Sequence, residues 1–339
     1  MIEIKTSDNN TIKKHNILTM RTENILVIGA NGQIGSALTG YLSNIYGADH
    51  IIASDLRPKE NHDGVFEVLD VTDAKRLDEL VKKHHVTQIY HLAAILSARG
   101  EADPLNTWQL NTQTYFNVLE VARANGIKKI FFPSSIAVFG DHVDRNLAPQ
   151  HAVLYPTTVY GISKAASENW SNYYYKRYGM DIRSVRYPGI ISYQSLPGGG
   201  TTDYAVDIFH KAVKGETFTC FLSEDTYLPM IYMDDALRGT VELMEAPADN
   251  LSIRTSYNLS GISFSPSELT ASIRKWHPDF EIIYQPDFRQ SIADSWPKAI
   301  DGSTAKQDWG WQPRFDIDAM TKEMLEKLGE KYRRSILEI

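Results

Sequence analysis

The chain predicts an α/β protein, a doubly wound parallel sheet carrying a smaller C-terminal lobe. Three observations predict it. Short apolar runs alternate with helical patterns from about residue 22 onward, and the first run passes into the first helix through glycines. The alternation then stops after Pro188, and Pro197-Gly198-Gly199-Gly200 reads as a loop by composition.

The elements follow in order. Asn24–Gly29 is a short Ile/Val run, Ile34–Tyr46 has helical spacing, and His50–Asp55 and Val65–Leu69 are the next strand patterns. Asp73–His84 is amphipathic, Gln88–Ala94 is a fourth strand and Asn106–Ala124 a long helix. Lys129–Ser134 is the fifth strand, Tyr160–Tyr178 a second long helix and Ile182–Tyr187 the sixth strand. Each βα crossover should be right-handed, which puts helices on both faces of the sheet.

Composition narrows the function classes. Hydrophobic residues at 42% and charged residues at 23% exclude a mostly disordered chain. A net charge of −7 gives no support for a nucleic-acid partner. Cys220 is the single cysteine, so an intrachain disulfide and a multi-cysteine zinc site are both ruled out. No His-Glu-x-x-His stretch occurs, and no metal is expected. The apolar runs are far shorter than the roughly 18–20 residues that span a bilayer, so no membrane partner is expected. The first residues mix acids and bases without an apolar core and do not read as a secretory signal.

Gly29-Ala30-Asn31-Gly32-Gln33-Ile34-Gly35 sits where the first strand becomes the first helix. Glycines there permit the tight turn and let backbone N–H groups approach a pyrophosphate at the positive helix end. Asp55 closes the second strand, where a carboxylate accepts hydrogen bonds from ribose hydroxyls and repels a 2′-phosphate. This order predicts a Rossmann-type dinucleotide site with NAD as cofactor. Leu56 belongs to the same turn, and Arg57 is the residue that could accommodate NADP instead. Asp70 and Val71 close the third strand, placed to contact adenine or, with Thr72, to cap the next helix. The expected division is an N-terminal extension over 1–21, an NAD-binding domain over 22–189 to which 227–261 returns, and a substrate lobe from 190–226 and 262–339.

Tyr160-Gly161-Ile162-Ser163-Lys164 places Tyr160 and Lys164 on one helical face. A phenol is a poor base at neutral pH. A neighbouring ammonium and a positive nicotinamide would stabilise its anion and make it usable as a general base.

The glycine motif, His91-Leu92-Ala93-Ala94, Asn111, Pro133-Ser134-Ser135-Ile136-Ala137-Val138-Phe139-Gly140 and Tyr160 with Lys164 together resemble the extended short-chain dehydrogenase/reductase family, from about residue 22 to the end of the chain. Within it, Leu96-Ser97-Ala98-Arg99-Gly100-Glu101, Pro188-Gly189-Ile190-Ile191 and the stretch from Pro197 to Ala205 resemble the epimerase-like L-threonine 3-dehydrogenase branch. The resemblance implies Tyr160 as general acid/base and Lys164 on the nicotinamide ribose. It implies Ser135 on the reacting hydroxyl, with Ser134 its close competitor. It sets Asn111 beside the active site, where a polar contact within the helix layer is its ordinary role. Leu92, Ala93, Ala94 and the backbone of Ile190 would face the cofactor, and Ser97, Thr201 and Thr202 the substrate.

The implied reaction oxidises L-threonine to 2-amino-3-oxobutanoate with hydride transfer to NAD. A nucleotide-sugar epimerase or dehydratase, or a dinucleotide sensor without catalysis, are the other readings. The intact Ser135, Tyr160 and Lys164 set argues against the sensor. By the same analogy a homodimer through the helices near 106–124 and 160–178 is expected, in the cytoplasm or, in a eukaryote, the mitochondrial matrix. Trp296 is expected either to exclude water or, as is commoner for any one aromatic, to pack in the core.

Overall fold

The structure, a computed structural model, describes residues 23–59, 64–194, 196, 198 and 200–337. The extension over 1–21 and residues Pro197 and Gly199 lie outside them.

The elements of the first half run β1 (Ile25–Ile28), α1 (Gln33–Tyr46), β2 (Ile51–Asp55), β3 (Val65–Val68), α2 (Ala74–Lys83), β4 (Gln88–His91), the short α3 (Ser97–Gly100), α4 (Pro104–Ala124), β5 (Lys129–Ser135), α5 (Val159–Tyr178) and β6 (Asp181–Tyr187). Seven strands form a sheet in the order β10-β6-β5-β4-β1-β2-β3, every neighbouring pair parallel. The chain travels outward from β1 to β3, then returns to place β4 on the other side of β1. That reversal opens a crevice beyond the carboxyl ends of β1 and β4, the position where such sheets bind ligands.

Strand side chains alternate between the two faces. Ile25 and Val27 pack with Leu38 and Leu42 of α1 on one side. Leu26 and Ile28 pack with Leu77 and Leu80 of α2 and with Val118 and Leu119 of α4 on the other. Some helix starts are capped by side chains: Asp103 caps α4, and Thr158 caps α5 by accepting from the Gly161 N–H at 3.1 Å. The helix α2 is capped by Asp73, whose carboxylate accepts from Arg76 N at 3.0 Å. This corrects the expectation for Asp70 and Thr72. Asp70 instead closes its own turn, accepting from Thr72 N at 2.9 Å and Thr72 Oγ1 at 2.7 Å.

Beyond β6 the chain makes β7 (Gly189–Ile191), α6 (Tyr204–Lys214), β8 (Phe218–Cys220), β9 (Leu228–Tyr232), α7 (Met233–Glu245), β10 (Tyr257–Asn258), β11 (Ile262–Phe264), α8 (Pro266–Arg274), β12 (Ile282–Tyr284), α9 (Arg289–Asp294), α10 (Ser303–Trp309) and α11 (Ile317–Leu337). These build a three-stranded sheet, β11-β9-β7, and a two-stranded one, β12-β8. Residues 227–261 are shared between the layers. The strand β9 pairs with β7, whereas α7 packs on the large sheet and β10 extends it along β6. The lobe has its own core, in which Tyr204, Phe209, Cys220, Phe264 and Met324 surround Leu228. Among the described residues no helix is long and apolar enough to cross a membrane.

Candidate active site

A continuous groove crosses the carboxyl edge of the large sheet. Its outer end is lined by Asp55, Leu56, Asp70, Val71, Ala93 and Thr114. Its inner end is lined by Gln33, Ile34, Gly35, Ser97, Ser135, Tyr160, Lys164, Ile190, Thr201 and Thr202. Gly29, Gly32, Leu92 and Ala94 line both.

The loop that opens α1 is built for close approach. Gly29 has φ +87°, and a Cβ there would lie 2.8 Å from Ala93 N, so only glycine lets this turn sit on the backbone after β4. The N-cap residue Gly32 brings no side chain to the first-turn N–H groups, which leaves them to an anion. The Asp55 carboxylate accepts from Asn31 N at 3.0 Å and Leu56 N at 2.8 Å. Its charge therefore shapes the loop as well as facing the groove. Asn31 and Arg57 stay exposed, with Asn31 Nδ2 donating to Arg57 O at 2.9 Å. This cradle, the strand-end carboxylate and the recess beside Asp70 and Val71 fit a dinucleotide.

The catalytic candidates meet at the end of β5. Tyr160, in the first turn of α5, lines the groove beside Ser135, on the last position of the strand. Gly161 makes that approach possible, because a Cβ there would lie 2.1 Å from Ala137 O. Lys164 Nζ, buried, donates to Pro133 O at 2.7 Å and lies 4.3 Å from the Phe132 ring centre and 5.5 Å from that of Tyr160. Burial pushes the Tyr160 phenol up to about 12, against the lowering effect of Ser135. Burial pushes Lys164 down to about 7, opposed by the Glu168 carboxylate. In the free protein, then, desolvation outweighs the help expected from Lys164, and Tyr160 holds its proton.

The adjacent serines both line the inner groove but take different partners along α5. Ser134 Oγ donates to Glu168 Oε1 at 2.6 Å, and Glu168 is paired in turn with Arg186 at 2.8 Å. Asn111 does not reach toward the reacting end. Its amide clamps the backbone of Ile95, accepting from Ile95 N at 2.8 Å and donating to Ile95 O at 3.1 Å, and it bonds Ser163 at 3.3 Å.

Two side chains of the inner groove have buried polar atoms without a partner: Thr201 Oγ1 and Trp296 Nε1. From sequence the indole reads only as packing or a water barrier. In the structure its N–H lies at the groove, brought there from the segment after α9. Glu168 went unnoticed as well, although it stands one turn beyond Lys164 on the same helix. Among the described residues that line the inner groove, Lys164 and Asp203 are the charged ones.

Residues 25–260 match the model of the NAD-dependent epimerase/dehydratase family. The chain belongs to that family. It is an enzyme of the extended short-chain dehydrogenase/reductase type, and NAD is its cofactor. It is 53% identical to a GalE-like L-threonine dehydrogenase from Cupriavidus necator in its holo form, covering 90% of this chain and 99% of that one, with a TM-score of 0.89. It is 48% identical to an L-threonine dehydrogenase from Clostridium difficile, over 91% of this chain and 98% of that one, TM-score 0.89. An uncharacterized epimerase/dehydratase of Staphylococcus aureus (strain USA300) is 45% identical over 91% of this chain and 97% of its own length.

Proposed function

We propose that the protein is an NAD-dependent L-threonine 3-dehydrogenase, converting L-threonine to 2-amino-3-oxobutanoate. One observation carries the reading. Among the described residues, the inner groove around Tyr160 is small and lined by Ser97, Ser135, Thr201 and Thr202 with Lys164 as its cation, which suits a small polar substrate with a secondary alcohol. The similarity to L-threonine dehydrogenases supports the same choice of substrate.

The residues would divide the work as follows. Gly29, Gly32, Gln33, Ile34 and Gly35 hold the pyrophosphate, Asp55 and Leu56 the adenosine ribose, and Asp70 and Val71 the adenine. Leu92, Ala93 and Ala94 wall the groove, and Ile190 meets the nicotinamide amide through its backbone. Bound NAD supplies the hydride acceptor and a positive ring near Tyr160. Ser135 would orient the substrate hydroxyl, and Tyr160 would take its proton while the hydrogen on the carbinol carbon leaves with its bonding electron pair as hydride. Lys164 would stabilise the phenolate before it takes that proton. Ser97, Thr201, Thr202 and the Trp296 N–H are placed to receive the amino-acid head, and Trp296 closes the mouth against water.

A homodimer is part of this reading. Leu105 and Trp108 of α4 and Ile162, Trp170 and Tyr173 of α5 are exposed apolar side chains, and the Phe116–Trp170 edge contact at 4.9 Å joins the two helices into one surface.

The deciding experiment follows NADH formation with L-threonine, D-threonine, L-allo-threonine and L-serine. Saturable turnover of L-threonine above the other three is expected. Failure to reduce NAD with any of them would reject the substrate class.

A further inference from the structure

Tyr160, Lys164 and Glu168 follow one another at four-residue steps on α5, so all three lie on one face. Each engages one of the last three residues of β5. Tyr160 meets Ser135, Lys164 Nζ donates to Pro133 O at 2.7 Å, and Glu168 Oε1 accepts from Ser134 Oγ at 2.6 Å. Glu168 is fully buried. Its oxygens also accept from Arg186 Nε at 2.9 Å and Nη2 at 2.8 Å. Arg186 Nη1 is tied to Gln150 O at 3.0 Å and Asn258 Oδ1 at 3.1 Å, which anchors the pair to β10 and to the segment before α5.

Burying an ion pair costs desolvation that an apolar pair of the same size would avoid. Packing alone therefore does not call for Glu168. The titratable and charged groups facing Lys164 are Tyr160 and Glu168 on its own helix, His91 on β4 and, beyond Glu168, Arg186 on β6. Burial and then Lys164 itself push His91 down to about 3, so His91 is neutral. Glu168 is the one anion of that set.

We propose that Glu168 is a positioning residue of the catalytic site: held by Arg186, it fixes the end of β5 through Ser134 and supplies the buried negative charge that keeps Lys164 an ammonium. The inference rests on the roles given above to Tyr160 and Lys164. It follows that an enzyme without this charge loses the ammonium at lower pH, and with it the group that balances the phenolate.

The test uses the full-length enzyme with Glu168→Gln, which keeps size and an oxygen for Ser134 but deletes the charge. If that variant fails to fold because Arg186 is left unpaired, Glu168→Gln with Arg186→Met removes both charges. Calorimetry of NAD binding across pH, in two buffers of different ionisation heat, reads proton exchange at the site without any substrate. The midpoint of that exchange is expected to fall by about one pH unit or more. The alkaline limb of kcat with L-threonine should move with it, while KM stays within about twofold. Glu168→Asp, which keeps the charge, should keep the wild-type midpoint. An unshifted midpoint in either charge-deleted variant, or no proton exchange on NAD binding to the wild type, overturns the proposal. A uniform loss of kcat with an unmoved limb does so too, because it assigns Glu168 to structure alone. Normal proton exchange without turnover of L-threonine rejects the substrate reading and leaves this one to be decided by the calorimetry.

Discussion

Tyr160 and Lys164 are pushed in opposite directions by the same cause. Burial raises the phenol to about 12 and lowers the amine to about 7, because each neutral form needs less water. The anionic base form of Tyr160 therefore grows with pH, and kcat/KM for alcohol oxidation should rise from the acid side, a trend a pH–rate profile checks. Tyr160→Phe keeps the ring and removes the proton acceptor. Its kcat should fall by about 10²–10⁴, the usual worth of a general base, with NAD affinity retained by calorimetry. Asp55→Ser removes the charge that opposes a 2′-phosphate. The ratio of kcat/KM values for NAD and NADP should narrow, and native use of both cofactors alike would show that Arg57 overrides Asp55. The sequence made these residues legible because a glycine turn and an i, i+4 pair are local patterns. The choice between Ser134 and Ser135 was not local. It depends on which hydroxyl the Glu168–Arg186 pair engages, and Arg186 sits on the next strand. Trp296 was hidden for the same reason, since its groove wall lies far away in the chain.

At the scale of elements, helix and strand periods carried the first half of the fold. Strands β1 to β6 fall within a residue or two of their apolar runs, apart from β4, which stops at His91 rather than Ala94. The lobe was not legible. The strands β7, β8, β11 and β12 have three residues each, too few to show a period, and β9 is buried throughout, so nothing alternates. The catalytic geometry depends on how tightly α5 lies on β5 and the turn after it. Gly161 is where they touch, with no room between helix backbone and Ala137 O. Gly161→Ala must push the start of α5 outward and separate Tyr160 from Ser135. We expect a lowered Tm and a loss of kcat larger than the change in NAD affinity. Unchanged turnover in this variant would mean that the Tyr160–Ser135 contact is not needed.

At the scale of the molecule, two surfaces decide what the protein meets. The first is the apolar stripe on α4 and α5. Trp170→Glu, which sets a charge beside Phe116 in its centre, should convert a dimer to a monomer in sedimentation velocity. A wild type that already sediments as a monomer would remove the dimer from the proposal. The second surface is the wall of the inner groove, and its charges separate a threonine enzyme from a nucleotide-sugar enzyme. A nucleotide sugar brings a diphosphate, which must be neutralised where it lies in the lobe, typically by a forked arginine. In related nucleotide-sugar enzymes a strand of the type Arg-Asp-Tyr-Ile-His-Val carries that arginine, and the matching stretch here begins at Leu228. Leu228 is fully buried in the lobe core and has no charge to offer. The lysines of the linking segment are already engaged elsewhere: Lys211 pairs with Glu216 at 2.6 Å, and Lys214 lies 4.9 Å from the Tyr332 ring centre. Neither lines the inner groove, where Lys164 is the cation and Asp203 would repel a phosphate. Burying a diphosphate against these walls would leave at least one negative charge without a partner, a cost of several kcal/mol. UDP-glucose and UDP-galactose should therefore show neither epimerisation nor saturable binding at micromolar concentrations in calorimetry. Saturable micromolar binding of either sugar would defeat this argument whatever the threonine assay gave, because it would require a cation that these groove walls do not present.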